Sequence, residues 1–90
     1  MIITFNAFSF LRGKLEGKGV ICGNKPMEIL EDISINQLIK SLGLDESEVE
    51  AVFVNHRVLS KETILKEGDR VALVPPGGIP NHVKAYVGAN

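Results

Sequence analysis

The chain has 90 residues, of which 44% are hydrophobic and 23% charged, and its mean hydropathy is +0.13. This size and composition predict one small globular domain. The net charge of −1 lacks the basic excess that nucleic-acid-binding proteins carry. Because no apolar run approaches about 18 residues and no basic leader is present, we expect no membrane association and a cytoplasmic location. The single cysteine, Cys22, fits a reducing compartment and is predicted to be a small buried hydrophobe.

The first predicted strand covers residues 2–11. Ile3 and Phe5 alternate with polar residues, but beyond them the pattern becomes denser and places Phe8 and Phe10 on the opposite face. We therefore expect either a β-bulge or a cover over these two phenylalanines, supplied by a partner or by the chain itself. Phe8 and Phe10 are our first candidate docking residues.

A flexible loop rich in glycine is predicted at residues 12–19. Two short strands are expected after it, at residues 20–22 and 27–30. The turn-forming sequence Gly-Asn-Lys-Pro at residues 23–26 separates them.

A helix is predicted to begin after Ser34. Ser34 and Gln37 have the spacing of a capping box, and Gly43 is a typical helix stop. Four apolar residues between them follow the i, i+3, i+4, i+7 pattern: Ile35, Leu38, Ile39 and Leu42. This pattern predicts a helix that packs one face against a sheet.

A hairpin is predicted from residues 50–55 and 57–60, with Asn55 and His56 in the turn. Asn tolerates positive φ angles well, and His does so more than most residues. A last strand is predicted at residues 70–74.

Pro75 and Pro76 end this last strand, since proline cannot donate to a β-ladder. An apolar helix face on a mixed sheet predicts a two-layer α+β roll. Residues 22–50 carry an excess of acidic residues, which we interpret as a solvated helix face in preference to a steering patch for a basic partner.

Three segments carry a resemblance to a known family. They are FSFLRGKL (residues 8–15), AVFVNHRV (residues 51–58) and LKEGDRVALVPP (residues 65–76), and they resemble parts of the MoaD and ThiS sulfur carriers. The resemblance covers residues 1–78 and implies a ubiquitin-like β-grasp fold, a mixed sheet packed against one main helix. RNA-associated TGS domains share this fold and a similar hairpin.

The resemblance also implies a function. In that family, a ubiquitin-activating-type adenylating enzyme activates the C-terminal glycine carboxylate with ATP. A sulfur donor then converts the adenylate to a thiocarboxylate, which delivers sulfide to an acceptor enzyme of a biosynthetic pathway. The corresponding residues here are Gly78 and Gly77 at the reactive end, with Pro75 and Pro76 as docking residues beside Phe8 and Phe10. The carrier itself needs no catalytic residue, cofactor or metal.

Residues 79–90 depart from the family pattern, because they follow Gly78 and hold its carboxyl in a peptide bond. We therefore divide the chain into a β-grasp domain at residues 1–78 and a C-terminal extension at residues 79–90. A carrier precursor would lose the extension to a protease. Alternatively, the alternation of Val83, Ala85 and Val87 predicts a permanent strand in a non-catalytic interaction module, which would mediate homo-oligomer formation or docking.

Two other functions are disfavoured by the sequence. A TGS-like nucleic-acid adaptor would need a basic stripe, which the balanced charge does not supply. An enzyme would need titratable groups spaced for acid–base chemistry, and none is evident. His56 and His82 have no accompanying ligands at metal-binding spacing.

Overall fold

A computed structural model of the protein describes residues 1–77. The elements in chain order are β1 (Ile2–Ala7), α1 (Ser9–Glu16), β2 (Lys25–Glu28), α2 (Ile35–Ser41), a 3₁₀ turn (Glu46–Glu48), β3 (Ala51–Val54), β4 (Arg57–Val58) and β5 (Arg70–Val74). The strands form one mixed sheet in the order β2-β1-β5-β3-β4. The central strand, β5, runs parallel to β1 and antiparallel to β3. The expected α+β class with a mixed sheet is confirmed.

The core lies between one face of this sheet and the two helices. Phe5 lies opposite Val71 across β1 and β5, and Val52 lies opposite Leu73 across β3 and β5. All four side chains are at most 2% exposed. The helices contribute further members to the same cluster: Leu11, Leu15, Ile35, Leu38 and Ile39. The two-residue period of the strands therefore sets which sheet face the helices cover.

Helix α2 has the ends that the sequence predicts. The Ser34 hydroxyl accepts from the Gln37 N–H at 3.1 Å, and the Gln37 side chain accepts from the Ser34 N–H at 2.8 Å. At the other end Gly43 has a φ of 78°, and the Leu44 N–H donates to the Ile39 carbonyl at 3.2 Å. This is a Schellman motif, for which a residue with positive φ is needed.

The prediction for the first 19 residues is wrong in its second half. The strand predicted at residues 2–11 ends at Ala7, and a helix occupies most of the predicted loop at residues 12–19. Leu11 and Leu15 lie one turn apart on this helix and are fully buried. Their burial stabilises a helix whose interior glycine, Gly13, disfavours it locally. The sheet therefore packs against two helices, with α1 beside the predicted α2.

The second strand also differs from its prediction. Residues 20–22 form no strand, and β2 begins inside the predicted turn at residues 23–26. The chain reverses earlier, at Gly23 and Asn24, which have φ angles of 96° and 62°. The Asn24 N–H then donates to the Phe5 carbonyl at 2.9 Å, which fixes the start of the pairing with β1.

The β3–β4 hairpin is confirmed, although its second strand is shorter than predicted. Asn55 and His56 have φ angles of 53° and 68°, the positive pair that a two-residue type I′ turn requires. The Asn55 side chain accepts from the Arg70 N–H at 3.0 Å and donates to Asp69 at 3.0 Å. These bonds tie the hairpin turn to the start of β5.

Candidate functional site

The carboxyl end of β5 is held on both sides by backbone hydrogen bonds. The Phe8 N–H donates to the Leu73 carbonyl at 3.1 Å, and the Glu50 N–H donates to the Val74 carbonyl at 2.8 Å. Pro75 is buried, whereas the next residue, Pro76, is exposed. The chain therefore leaves the folded domain between the two prolines.

Gly77 is the last residue that the structure describes, and its φ is 73°. A Cβ at this position would meet no other atom within 4 Å. The preference for glycine here is therefore conformational and not steric. Gly78 and the extension at residues 79–90 lie outside the described residues, so the predicted reactive end and the predicted extra strand stay predictions.

The structure brings Phe8 beside the exit of the chain. Phe8 donates its N–H to β5 and is 43% exposed, while Phe10 in the first turn of α1 is 54% exposed. Ser9 between them has a φ of 52°, an uncommon value for a non-glycine residue that costs on the order of 1 kcal/mol. This turn ends the strand and leaves both phenylalanines facing outward. The predicted docking residues Phe8, Pro75 and Pro76 therefore lie together at the end of the sheet, and their docking role stays a prediction.

An apolar row on the outer face of the sheet was not among the predicted docking residues. Ala72, Phe53 and Val58 follow one another across β5, β3 and β4. Phe53 is half-buried and Val58 is 61% exposed, because both described helices pack on the opposite face. The alternation of Phe53 with the inward-facing Val52 and Val54 could have indicated this row from the sequence. We call Ala72, Phe53 and Val58 the outer row.

A hollow of about 630 Å³ lies on the other side of the chain exit. Its lining residues are Asp45, Glu46, Ser47, Val49, Glu50, Lys61 and Pro76. Helix α2 itself contains no acidic residue, so the interpretation of the acidic segment as a helix face is wrong. Much of the negative charge lies on the 3₁₀ turn and in the connection to β3, next to Pro76.

Hydrogen bonds at the 3₁₀ turn lower the pKa values of two carboxyl groups, Asp45 at its N-cap and Glu48. The Asp45 carboxylate accepts from the hydroxyl and the N–H of Ser47, and these bonds lower its pKa. The Glu48 carboxylate accepts from the Asp45 N–H at 2.8 Å and pairs with the Lys14 ammonium, and both contacts lower the pKa of Glu48. The Lys14–Glu48 pair joins α1 to the 3₁₀ turn, so the elements flanking the chain exit are also linked to each other.

The remaining candidate groups lie away from this exit. Burial raises the pKa of the Cys22 thiol, and the nearby Glu16 raises it further, which agrees with the predicted small buried hydrophobe. Within residues 1–77, no group of three or more His, Cys, Asp or Glu side chains is arranged to hold a metal ion. His56 lies in the exposed hairpin turn, and His82 is outside the described residues. In the same described part, no helix is long and apolar enough to cross a bilayer.

The sequence model of the ThiS family matches residues 20–78, about two thirds of the chain. The chain belongs to the ThiS family. The match includes α2, the hairpin and β5, and it ends at Gly78. ThiS-family proteins are sulfur carriers that act with adenylating and sulfur-transfer enzymes, so membership supports a general carrier role for this chain.

A solved structure gives the same fold. It is described as a molybdopterin converting factor, subunit 1, from Pyrococcus furiosus, and it shares 25% sequence identity with this chain at a TM-score of 0.61. The alignment covers 83% of this chain and 97% of that chain. No curated protein matches the chain. The expected ubiquitin-like β-grasp fold and the resemblance to MoaD and ThiS are confirmed.

Proposed function

We propose that this ThiS-family chain is the precursor of a sulfur carrier. In this proposal, removal of residues 79–90 frees the Gly78 carboxylate, which partner enzymes then adenylate and thiocarboxylate. The observation that carries the proposal is the exit of the chain at Pro76 and Gly77, directly after a strand end held by Phe8 and Glu50. The family match, which ends at Gly78, supports the same boundary.

The geometry suits a carrier that presents its end to another protein. A carboxylate that must reach ATP in a partner needs a thin segment on a rigid base. Pro75 is buried and fixes the base, whereas the glycines beyond Pro76 carry no side chain to fill a narrow channel. Two extended residues add about 6–7 Å of reach.

The chemistry requires a free carboxylate at Gly78. Hydrolysis of the Gly78–Ile79 peptide bond supplies it. One carboxylate oxygen then attacks the α-phosphate of ATP and releases pyrophosphate, which leaves an acyl-adenylate. A sulfur donor at the oxidation level of sulfide then attacks the acyl carbon, the C–O bond to AMP breaks, and AMP leaves behind the thiocarboxylate. Transfer of this sulfur to an acceptor breaks the C–S bond, and an oxygen from water or from the acceptor restores the carboxylate. The proposal thus requires a protease, an adenylating enzyme, a sulfur donor and an acceptor.

The adenylating partner would dock on the apolar surface around the exit. Phe8 and Phe10 lie at one side of it, and the outer row offers a second apolar area on the adjacent sheet face. Aromatic side chains exposed at a surface are typical contributors to protein–protein interfaces.

Intact-mass analysis of the protein from its native cell tests this function. We expect a species that ends at Gly78, together with a form heavier by the difference between sulfur and oxygen. That heavier form should disappear when the adenylating enzyme is deleted. If only the 90-residue chain is found while the partner enzymes are expressed, the carrier proposal is wrong.

The alternative is a non-catalytic module in which residues 79–90 mediate docking or self-association. Met1 and Ile29 exchange both of their backbone hydrogen bonds, at 2.7 and 2.8 Å. Hydrogen-bonded and non-hydrogen-bonded pairs alternate along an antiparallel ladder, so Pro26, opposite Thr4, lies in a non-hydrogen-bonded pair. An N–H at this position would point away from β1 toward an added strand, and proline has no N–H to donate. Self-association would therefore use another surface. Deletion of residues 79–90 should then dissociate an oligomer, and an unchanged solution mass would count against the module.

A further inference from the structure

Lys61 is the one lysine among residues 1–77 that is not exposed, and its ammonium group binds main-chain carbonyls. Its Nζ donates to the Val49 carbonyl at 2.6 Å and to the Glu46 carbonyl at 3.2 Å. The Glu46 carboxylate lies further away, at 4.0 Å. The side chain is only 24% exposed and lines the hollow beside Pro76.

The Val49 carbonyl and the Glu50 N–H belong to the same peptide group. Its oxygen accepts from the Lys61 ammonium, and its N–H donates to the Val74 carbonyl at 2.8 Å. A cation on the oxygen polarises the amide and strengthens the bond that its N–H makes. Lys61 thereby fixes the orientation of the peptide group that holds the last residue of β5.

The backbone of Lys61 is itself anchored to α2. Its carbonyl accepts from the Asn36 N–H at 2.8 Å, and the neighbouring Thr63 carbonyl accepts from the Ile35 N–H at 2.9 Å. A continuous series of contacts therefore runs from the first turn of α2 through Lys61 and Glu50 to Val74. Helix α2 is connected in this way to the end of β5, from which the tail extends.

From this geometry we infer that Lys61 is a positioning residue for the reactive tail, a role that rests on the proposed function. Lys61 contacts neither Pro76 nor Gly77 by a hydrogen bond in the described structure, and it acts through the Val49–Glu50 peptide group. Because docking depends on the apolar surface and adenylation depends on the direction of the tail, loss of Lys61 should lower kcat and leave KM for the carrier unchanged.

The first experiment uses the full chain alone and measures amide hydrogen exchange by NMR. Lys61→Met keeps the length of the side chain and removes the charge, so the Glu50 amide should exchange roughly tenfold faster. The core amides of Val52 and Leu73 should keep their protection. Lys61→Arg should restore protection at Glu50, and Lys66→Met, an exposed lysine, is the matched control.

Two outcomes of this experiment overturn the inference. In the first, the Glu50 amide exchanges at the same rate in Lys61→Met as in the wild type. In the second, it accelerates only in step with the core amides, which would make Lys61 a general stabiliser. Neither outcome depends on whether the protein carries sulfur.

The second experiment measures adenylation of a chain that ends at Gly78, which retains every contact described for residues 1–77. ATP–pyrophosphate exchange with the ubiquitin-activating-type enzyme of the same organism gives kcat and KM. Lys61→Met should lower kcat roughly tenfold and change KM by less than about twofold, with recovery in Lys61→Arg. A rise in KM alone would contradict positioning and assign Lys61 to docking. Absence of exchange with the wild-type chain would instead refute the proposed function, and the amide experiment would still decide the role of Lys61 in holding the strand end.

Discussion

The two faces of the sheet carry similar residue types but have different surroundings. On the inner face Phe5 is fully buried under the helices, whereas on the outer face Phe53 is half-buried beside Val58 and Ala72. The inner face therefore determines stability, and the outer face is available for contacts with a partner. Substitutions that are matched in chemistry but differ in face should separate the two roles.

The largest effect is expected for Phe5→Ala on the inner face. Removal of a fully buried aromatic side chain leaves a cavity and should lower the free energy of unfolding by about 3–5 kcal/mol. Urea denaturation followed by circular dichroism measures this change. A loss of less than about 1 kcal/mol would contradict the assignment of this face as the core.

Phe53→Ala is the matched substitution on the outer face. Phe53 loses only part of its solvent exposure on folding and contacts cross-strand neighbours, so we expect a loss of about 1 kcal/mol. The affinity for the adenylating partner, measured by calorimetry, should fall at the same time. Equal destabilisation by the two substitutions would show that the outer face is also covered in the native protein.

The 3₁₀ turn should give a smaller effect that depends on pH. Since the folded-state pKa values of Asp45 and Glu48 are lowered, their contribution to stability is present above the ordinary carboxyl pKa. It is lost as the pH falls through the folded-state values. Glu48→Gln should therefore reduce the loss of stability on acidification, as measured by thermal unfolding between neutral and acid pH. Glu31→Gln, at an exposed acidic residue away from the turn, is the matched control substitution.

The smallest effect on stability is expected for Gly77→Ala at the exit. Gly77 is exposed at the end of the described chain, so the free energy of unfolding should change by less than about 0.5 kcal/mol. Adenylation of the chain ending at Gly78 should nevertheless slow, because an added Cβ disfavours the positive φ and widens the tail.

Gly68→Ala is the control for Gly77→Ala, because Gly68 also has a positive φ and open space around its Cα. Gly68 lies in an ordered turn, where its N–H donates to the Ile2 carbonyl at 2.8 Å. Its substitution should cost about 1 kcal/mol of stability. If Gly77→Ala destabilises the domain as much as Gly68→Ala does, the tail is packed on the domain and is not free for presentation.

The features that could be predicted from sequence are those with local causes. The Ser34 capping box, the stop at Gly43 and the turn at Asn55 and His56 each depend on residues close together in the chain. Strand β5 was also predicted, because an apolar run ending in two prolines has few other interpretations.

Helix α1 and strand β2 could not be predicted in this way. Locally, Gly13 inside α1 and the glycines that follow it favour a loop. The helix forms because Leu11 and Leu15 complete the core against the strands of the sheet. The position of β2 is likewise set by pairing with β1, and Pro26 is accommodated only because that strand is at the edge of the sheet.

The sequence by itself determined the family, the α+β class and the position of Gly77 after β5 and the two prolines, because motif and turn chemistry act over a few residues. Only the tertiary structure decided what surrounds that exit. Phe8 directly follows the first strand, Glu50 directly precedes the third, and Lys61 lies in the connection after the hairpin. They meet because β5 is central in the sheet, and a central strand collects its neighbours from the whole length of the chain.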